Sequence, residues 1–227
     1  MIKVAIDGPS GAGKSTVSKA VAKELGYIYV DTGAMYRAAA LGCICGEIDI
    51  SANPDAAAEM VSYMNIDIKY GEDGTQLIYL DKENVTDFIR TPEVSIGASD
   101  ISKIPAVRLK LVDIQRKLGE KSNVIMDGRD IGTYVFPDAD VKIFLTASPE
   151  ERAKRRHKEL LEKGQNVTFD EVLEDMRYRD KNDSTRAFAP LVPAEDSVML
   201  ETDGVCFEDT VKKVLDIINE RLEKNAL

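Results

Sequence analysis

Short apolar runs rich in β-branched residues recur along the chain, and between them apolar positions return at helical spacing. Ile2 to Ile6 is one such run, closed by Asp7-Gly8-Pro9, and reads as a buried strand. Lys14 to Leu25 carries Val17, Ala20, Val21 and Leu25 on one face and stops at Gly26, which predicts a helix. Tyr27 to Val30 is a second strand broken by Asp31-Thr32-Gly33. Met35 to Cys45 and the alanine-rich Pro54 to Tyr63 are helical by pattern.

The texture changes at Ile66. Ile66 to Tyr70 and Gln76 to Leu80 are strand-like and joined by Gly71-Glu72-Asp73-Gly74, a strong turn signal, so a small β insert is expected here. Helices are expected at Thr91 to Ser102 and Ala106 to Leu118. Val124-Ile125-Met126 is an apolar strand stopped by Asp127-Gly128, and Val141 to Leu145 is another, closed by Ser148-Pro149. Pro149 to Lys163 and Phe169 to Lys181 are helical, Val198 to Leu200 is a last strand, and Phe207 to Leu222 a last amphipathic helix. Strands alternating with helices predict an α/β fold with a parallel sheet covered on both faces. No repeat, low-complexity tract or linker divides the chain, which reads as one core with insertions.

The 227 residues suit a single domain able to bury a real core. The formal charge of −10 disfavours nucleic acid and anionic membranes as partners, so phosphate binding has to come from local fields. No apolar run reaches the roughly 20 residues of a membrane span, and the first residues are too short for a signal peptide. Cys43, Cys45 and Cys206 form no disulfide framework and read as small buried hydrophobes in a reducing compartment.

One segment carries unmistakable chemistry. Gly8-Pro9-Ser10-Gly11-Ala12-Gly13-Lys14-Ser15 matches G-x-x-x-x-G-K-[ST] between a strand and a helix. Glycines let backbone N–H groups converge on a phosphate, and the following helix points its positive end there. Lys14 reaches the β- and γ-phosphates, the Ser15 hydroxyl can ligate Mg²⁺, and Thr16 follows in the same turn. No guanine-reading N-K-x-D occurs, and Gly128 rather than Glu follows Asp127. Both absences point toward kinases of small molecules. Asp127 ends an apolar strand, where it either holds Mg²⁺ or simply forms a turn with Gly128.

Transfer between two phosphates gathers negative charge, and arginine suits the task because it stays charged and grips phosphate with a fork. Arg37 and Arg129 follow strand ends, at the carboxyl edge where open α/β sheets bind ligands. Arg152 to Lys158 contains five basic residues and no acid, either a solvated face or a lid over ATP. Arg179 to Arg186 is a polar stretch after a helix, either a loop without a role or part of the site. His157 reads as an exposed helix residue and not as a catalyst.

With the phosphate loop, Asp31-Thr32-Gly33-Ala34-Met35-Tyr36-Arg37, the unbroken run Asp127 to Pro137 and the Arg179 to Arg186 stretch in hand, the chain resembles bacterial-type cytidylate kinases from end to end; Ala189-Pro190-Leu191 also fits. The resemblance implies a nucleoside monophosphate kinase fold: core segments 1–31, 119–148 and 187–227, a monophosphate-binding region 32–118 containing the β insert, and a short lid at 149–186. It implies Mg²⁺-dependent transfer from ATP to CMP, and to dCMP; a cytoplasmic monomer is expected. Residue by residue, it implies that Thr32 and Arg37 lie on the CMP side and that Arg37, Arg129 and Arg186 face the acceptor phosphate. It implies that Ser99, Arg108 and Asp130 recognise cytosine, that Arg179 and Asp183 contact the sugar, and that Arg152 and Arg156 are paired lid arginines on the ATP side. Ser15 stands where some relatives have Gly or Thr, and Ser184-Thr185 where relatives can be more basic. Kinases of UMP or of a non-nucleotide acceptor, and a slow nucleotide-dependent switch, are the competing readings.

Overall fold

The computed structural model describes residues 1–225; residues 226–227, the end of the expected core segment, lie outside the described residues. Five strands form one parallel sheet: β1 (Lys3–Asp7), β2 (Ile28–Asp31), β6 (Val124–Gly128), β7 (Val141–Thr146) and β8 (Val198–Glu201), ordered β2-β6-β1-β7-β8. Helix α1 (Lys14–Leu25) and the last helix α8 (Phe207–Asn225) cover one face, where Val4, Ile6, Ile125, Ile143 and Leu145 meet Val17, Val21, Val214 and Ile218. The alternate strand residues Ala5, Val30, Val124 and Met126 point to the other face. They bury against α2 (Thr32–Cys45) and α5 (Pro105–Gly119). Both faces are covered, so β6 is buried at every position and reads as an unbroken apolar run up to Asp127.

The segment after α2 is elaborated. Helix α3 (Pro54–Tyr63) leads into an antiparallel sheet of β3 (Ile66–Tyr70), β4 (Gln76–Leu80) and the two-residue β5 (Glu83–Asn84), followed by α4 (Pro92–Ile101). The expected hairpin is present, with β5 as an additional strand. Gln76 fastens it to the core: its Oε1 accepts from the Asp31 amide (2.7 Å) and its Nε2 donates to the Asp31 carbonyl (3.2 Å). The Gln76 side chain thus pairs with edge strand β2 as a neighbouring strand would. Tyr70 adds a hydroxyl bond to the Tyr29 carbonyl (3.0 Å).

After β7 the chain forms α6 (Pro149–Glu162) and α7 (Phe169–Thr185). Ser148 caps the first, and a reciprocal capping box between Thr168 and Glu171 starts the second. These helices pack through Ala153, Leu160, Val172 and Met176, a small core of their own.

Several expectations need correction. Helix α2 begins directly at Thr32, because the Asp31 side chain accepts from Ala34 N (3.0 Å) and caps it without an intervening loop. Helix α7 runs on to Thr185, so most of the polar Arg179–Arg186 stretch is helical; the Ser184 and Thr185 hydroxyls bond back to the Asp180 and Lys181 carbonyls at 2.7 Å each. Only Cys43 is buried, whereas Cys45 and Cys206 are exposed. His157 is half-buried: its Nε2 meets the Val167 carbonyl at 3.0 Å and its ring meets Phe169 edge-on.

Candidate active site

Strand register brings three carboxylates to one sheet edge, since Asp31 pairs with Asp127 and Asp7 with Gly128. The loop after β1 wraps there. Gly8 has φ +146° and a Cβ on it would run into the Leu145 carbonyl, whereas Gly13, at φ +89°, faces open space. Gly13 is the N-cap of α1, so the free N–H groups at the start of that helix face the loop's interior. Lys14 is buried and its Nζ donates to the Pro9 carbonyl (2.8 Å).

Ser15 Oγ donates to Asp127 Oδ2 (2.7 Å), Tyr29 Oη to Asp127 Oδ1 (3.0 Å), and Thr32 Oγ1 to the Asp127 carbonyl (2.8 Å). Burial, and then the Asp31 carboxylate, push the Asp127 carboxyl up to about 6, against Lys14 and the two hydroxyl bonds. Burial, reinforced by Arg129, brings the Lys14 ammonium down to about 7, against the pull of Asp127 and Asp7. One hydroxyl and one carboxylate make no complete metal cage, and the described residues contain no cluster of three or more His, Cys, Asp or Glu side chains. The pair does fit Mg²⁺, which takes one or two carboxylates and completes its shell with phosphate oxygens and water.

A cavity of about 470 Å³ opens beside this loop. Its lining includes Ser10, Gly11, Gly13, Lys14, Ser15 and Thr16, with Gly8, Pro9 and Ala12 behind them in the same loop. Thr32, Arg37, Asp127, Arg129, Arg156 and Arg179 continue the wall. Ser99, Arg108, Asp130, Asp183 and Arg186 line it as well. The cations are distributed unequally. Arg37 and Arg90 both reach Asp31 Oδ2 (2.7 and 3.2 Å). Burial would raise the Asp31 carboxyl, but the two guanidiniums outweigh it and hold it below the usual range. Arg129 Nε donates to Asp183 Oδ2 (2.6 Å), and Asp183 also faces Arg186 at 3.8 Å. Asp130 is held by Arg108 and by Arg186 (3.2 Å).

Arg179 has no ion-pair partner among the described residues, and its Nε is buried without a hydrogen bond. Burial, and then the neighbouring Arg129, lower its guanidinium to about 10; Arg37 and Arg156 add to this while Asp183 opposes it. Four arginines therefore crowd one stretch of wall and leave a positive charge unanswered.

Arg152 departs from expectation. It does not line the cavity: its guanidinium is buried and donates to the Ser10 carbonyl (2.9 Å), the Ala147 carbonyl (2.9 Å) and Asp180 (2.7 Å). It braces the phosphate loop from below, and the cavity-facing arginines of α6 are Arg155 and Arg156, the latter also paired with Glu159 at 2.9 Å. Sequence reasoning also missed Arg90, whose segment has no periodicity to place it, and Asp7, which shows in the sequence only as the end of the first strand. Asp7 is buried and accepts from the Ile131 and Gly132 amides (2.8 and 2.7 Å), holding the wide turn Ile131–Val135 that follows Arg129 and Asp130.

Residues 4–220 match the family model described as Cytidylate kinase. Among curated proteins, the chain is 52% identical over 216 residues to "Cytidylate kinase" of Caldicellulosiruptor saccharolyticus, covering 95% of each chain. It is 50% identical over 216 residues to the protein of the same name from Clostridioides difficile, covering 95% of this chain and 97% of that one. Among solved structures, a gluconokinase from Sinorhizobium meliloti superposes with a TM-score of 0.50 at 14% identity, over 99% of this chain and 95% of that one, a likeness of fold.

Proposed function

This chain belongs to the cytidylate kinase family, and from that premise we propose that it transfers the γ-phosphoryl group of ATP to CMP, and to dCMP, with Mg²⁺ bound between Ser15 Oγ, Asp127 and the nucleotide. The observation that carries this reading is the unanswered positive wall around Arg179, in the cavity that the phosphate loop also lines. A second phosphate is the partner it lacks.

The acceptor phosphate, with a second pKa of about 6, is already an anionic nucleophile at neutral pH. One of its oxygens attacks the γ-phosphorus while the bond to the β-phosphate oxygen breaks, and ADP leaves with that electron pair. No general base is required, so alignment and charge do the work. The loop amides and Lys14 hold the donor, with Thr16 in the same turn and Arg156 on the lid side. A phosphate arriving at Lys14 restores the ammonium charge that burial weakens. Ser15 and Asp127 are the residues that would hold Mg²⁺ there, and the ion would supply neutralisation of the charge on the transferring phosphates. Arg37, Arg129, Arg186 and Arg179 surround the acceptor phosphate, and the position of Arg179 favours a phosphate role beside the sugar role with Asp183.

Ser99, Arg108 and Asp130 form the base end of the cavity. Cytosine offers a donor at N4 and acceptors at N3 and O2, which suits a carboxylate beside a guanidinium. Region 32–118 would act as the monophosphate-binding part, 149–186 as the lid, and the rest as core. We place the protein in the cytoplasm as a monomer with no nucleic-acid or membrane partner; no described helix is long and apolar enough to cross a membrane. A coupled ADP-release assay with AMP, GMP, UMP, CMP and dCMP tests the reading. Turnover strongly stimulated by CMP supports it; equal stimulation by UMP, or by no acceptor, overturns it.

A further inference from the structure

The α4 helix of the insert and the α7 helix of the lid region meet directly, at a junction the reaction described above does not use. Its centre is Asp100, buried on α4 next to the cavity-lining Ser99. Asp100 Oδ1 accepts from the Tyr178 hydroxyl (2.7 Å), from Lys103 Nζ (2.8 Å) and from Asn182 Nδ2 (3.3 Å). Asn182 Nδ2 also donates to Ser99 Oγ (3.2 Å). A carboxylate only accepts, so the Asn182 amide must turn its NH₂ toward Asp100, and its bond to Ser99 follows from that orientation. Tyr178 and Asn182 stand one helical turn apart on one face of α7. The same helix carries Arg179 and Asp183 into the cavity.

We propose that Asp100, Tyr178 and Asn182 form a clasp between insert and lid, acting as positioning residues that tie Ser99 at the base end of the acceptor site to the phosphate-facing side chains of α7. None of the three lines the cavity, so the clasp works through Ser99, Arg179 and Asp183. An acceptor engaging Ser99 steadies α4 against α7 and sets the cations on α7 for the donor nucleotide. Each nucleotide thereby favours the arrangement the other needs, a coupling that is reciprocal by linkage.

The inference rests on the phosphotransferase reading for its ligands, and its test separates the two. Tyr178→Phe, Asp100→Ala and the double variant are compared with the wild type. In thermal unfolding without nucleotide, the two substitutions should be non-additive, because each removes one end of the same bond. CMP affinity is then measured with and without a non-hydrolysable ATP analogue. The wild type should bind CMP more tightly with the analogue, and each single variant should lose about threefold to tenfold of that tightening, the worth of one or two hydrogen bonds. KM for CMP should rise by a similar factor while kcat, and affinity for the analogue alone, stay within about twofold of wild type. Additive unfolding effects, an unchanged coupling between nucleotides, or an equal loss of affinity for both ligands taken singly would overturn the clasp. Failure of the wild type to bind CMP would instead strike the assigned reaction, and the unfolding cycle would still decide whether the clasp exists.

Discussion

Arg129 Nε lies 2.6 Å from Asp183 Oδ2, joining the turn after β6 to the last turns of α7. Burial would raise the Asp183 carboxyl, but Arg129 and then Arg186 outweigh it and hold it below the usual carboxylate range. The pair is therefore ionised throughout the neutral range, and Asp183 fixes the direction of the guanidinium at the cavity wall. Asp183→Ala should leave Arg129 mispointed. Steady-state kinetics should show kcat/KM for CMP lowered by about 10²-fold, the scale of a small misplacement at a reacting centre. An unchanged value in a folded variant would contradict the aiming role.

The lowered ammonium of Lys14 has a measurable consequence. With a value of about 7 in the free enzyme, Lys14 is mostly neutral at pH 8, while Asp127, at about 6, is already ionised. Polyphosphate restores the ammonium charge, so nucleotide binding at pH 8 should take up close to one proton. Titration calorimetry in buffers of different ionisation enthalpy reads this directly, and Lys14→Met should abolish the uptake. Lys14→Ala should also lower kcat by about 10²- to 10³-fold, as for loss of one preorganised charge donor.

Two glycines of the phosphate loop should respond unequally. Gly8→Ala drives a Cβ into the Leu145 carbonyl, a backbone atom of β7 that cannot step aside. That variant should fail to accumulate folded, or melt far below the wild type. Gly13→Ala meets no neighbour and costs only the left-handed conformation, about 1–2 kcal/mol. A thermal-melt comparison separates them, and similar melting temperatures would refute the steric account.

Base reading is testable at Arg108 and Asp130. Arg108 is 1% exposed, lies between Tyr36 and Phe188, and pairs with Asp130, so Arg108→Met retains bulk while removing the charge. Both Arg108→Met and Asp130→Ala should lower kcat/KM for CMP far more than for UMP, because uracil reverses donor and acceptor along that edge. Equal losses for the two substrates would remove these residues from base recognition.

His157→Ala should keep wild-type turnover and lose stability by about 1 kcal/mol, the net worth of a typical hydrogen bond. The imidazole meets the Val167 carbonyl and Phe169 and stands outside the cavity lining. A large fall in kcat with normal melting would show that it takes part in the chemistry.

The sequence displayed its strands and helices clearly because periodicity is local, and the phosphate loop because its glycines and lysine are consecutive. Arg152 and Arg156 look equivalent on a helix, yet one is buried beneath Ser10 and the other faces the cavity. That difference depends on contacts with a loop far away in the chain, which spacing cannot reveal. Asp7 shows in the sequence only as the end of the first strand, because its partners, the Ile131 and Gly132 amides, lie in a distant segment. Arg90 belongs to a stretch without pattern, and only the folded insert brings it to Asp31. The polar end of α7 resembled a loop, since its charged and hydroxyl side chains offer no apolar periodicity.

The pairing of Gln76 with Asp31 reaches beyond catalysis. Strand β2 ends the parallel sheet, and an open edge of this kind is a template on which a second chain can add a strand and start an aggregate. Here one amide side chain occupies both backbone groups of Asp31, so the insert acts as a stopper on the sheet. Without Gln76, both backbone groups of Asp31 would stand unpaired at that edge. The guard on the β2 end of the sheet is thus a side chain of the insert and not of the sheet itself.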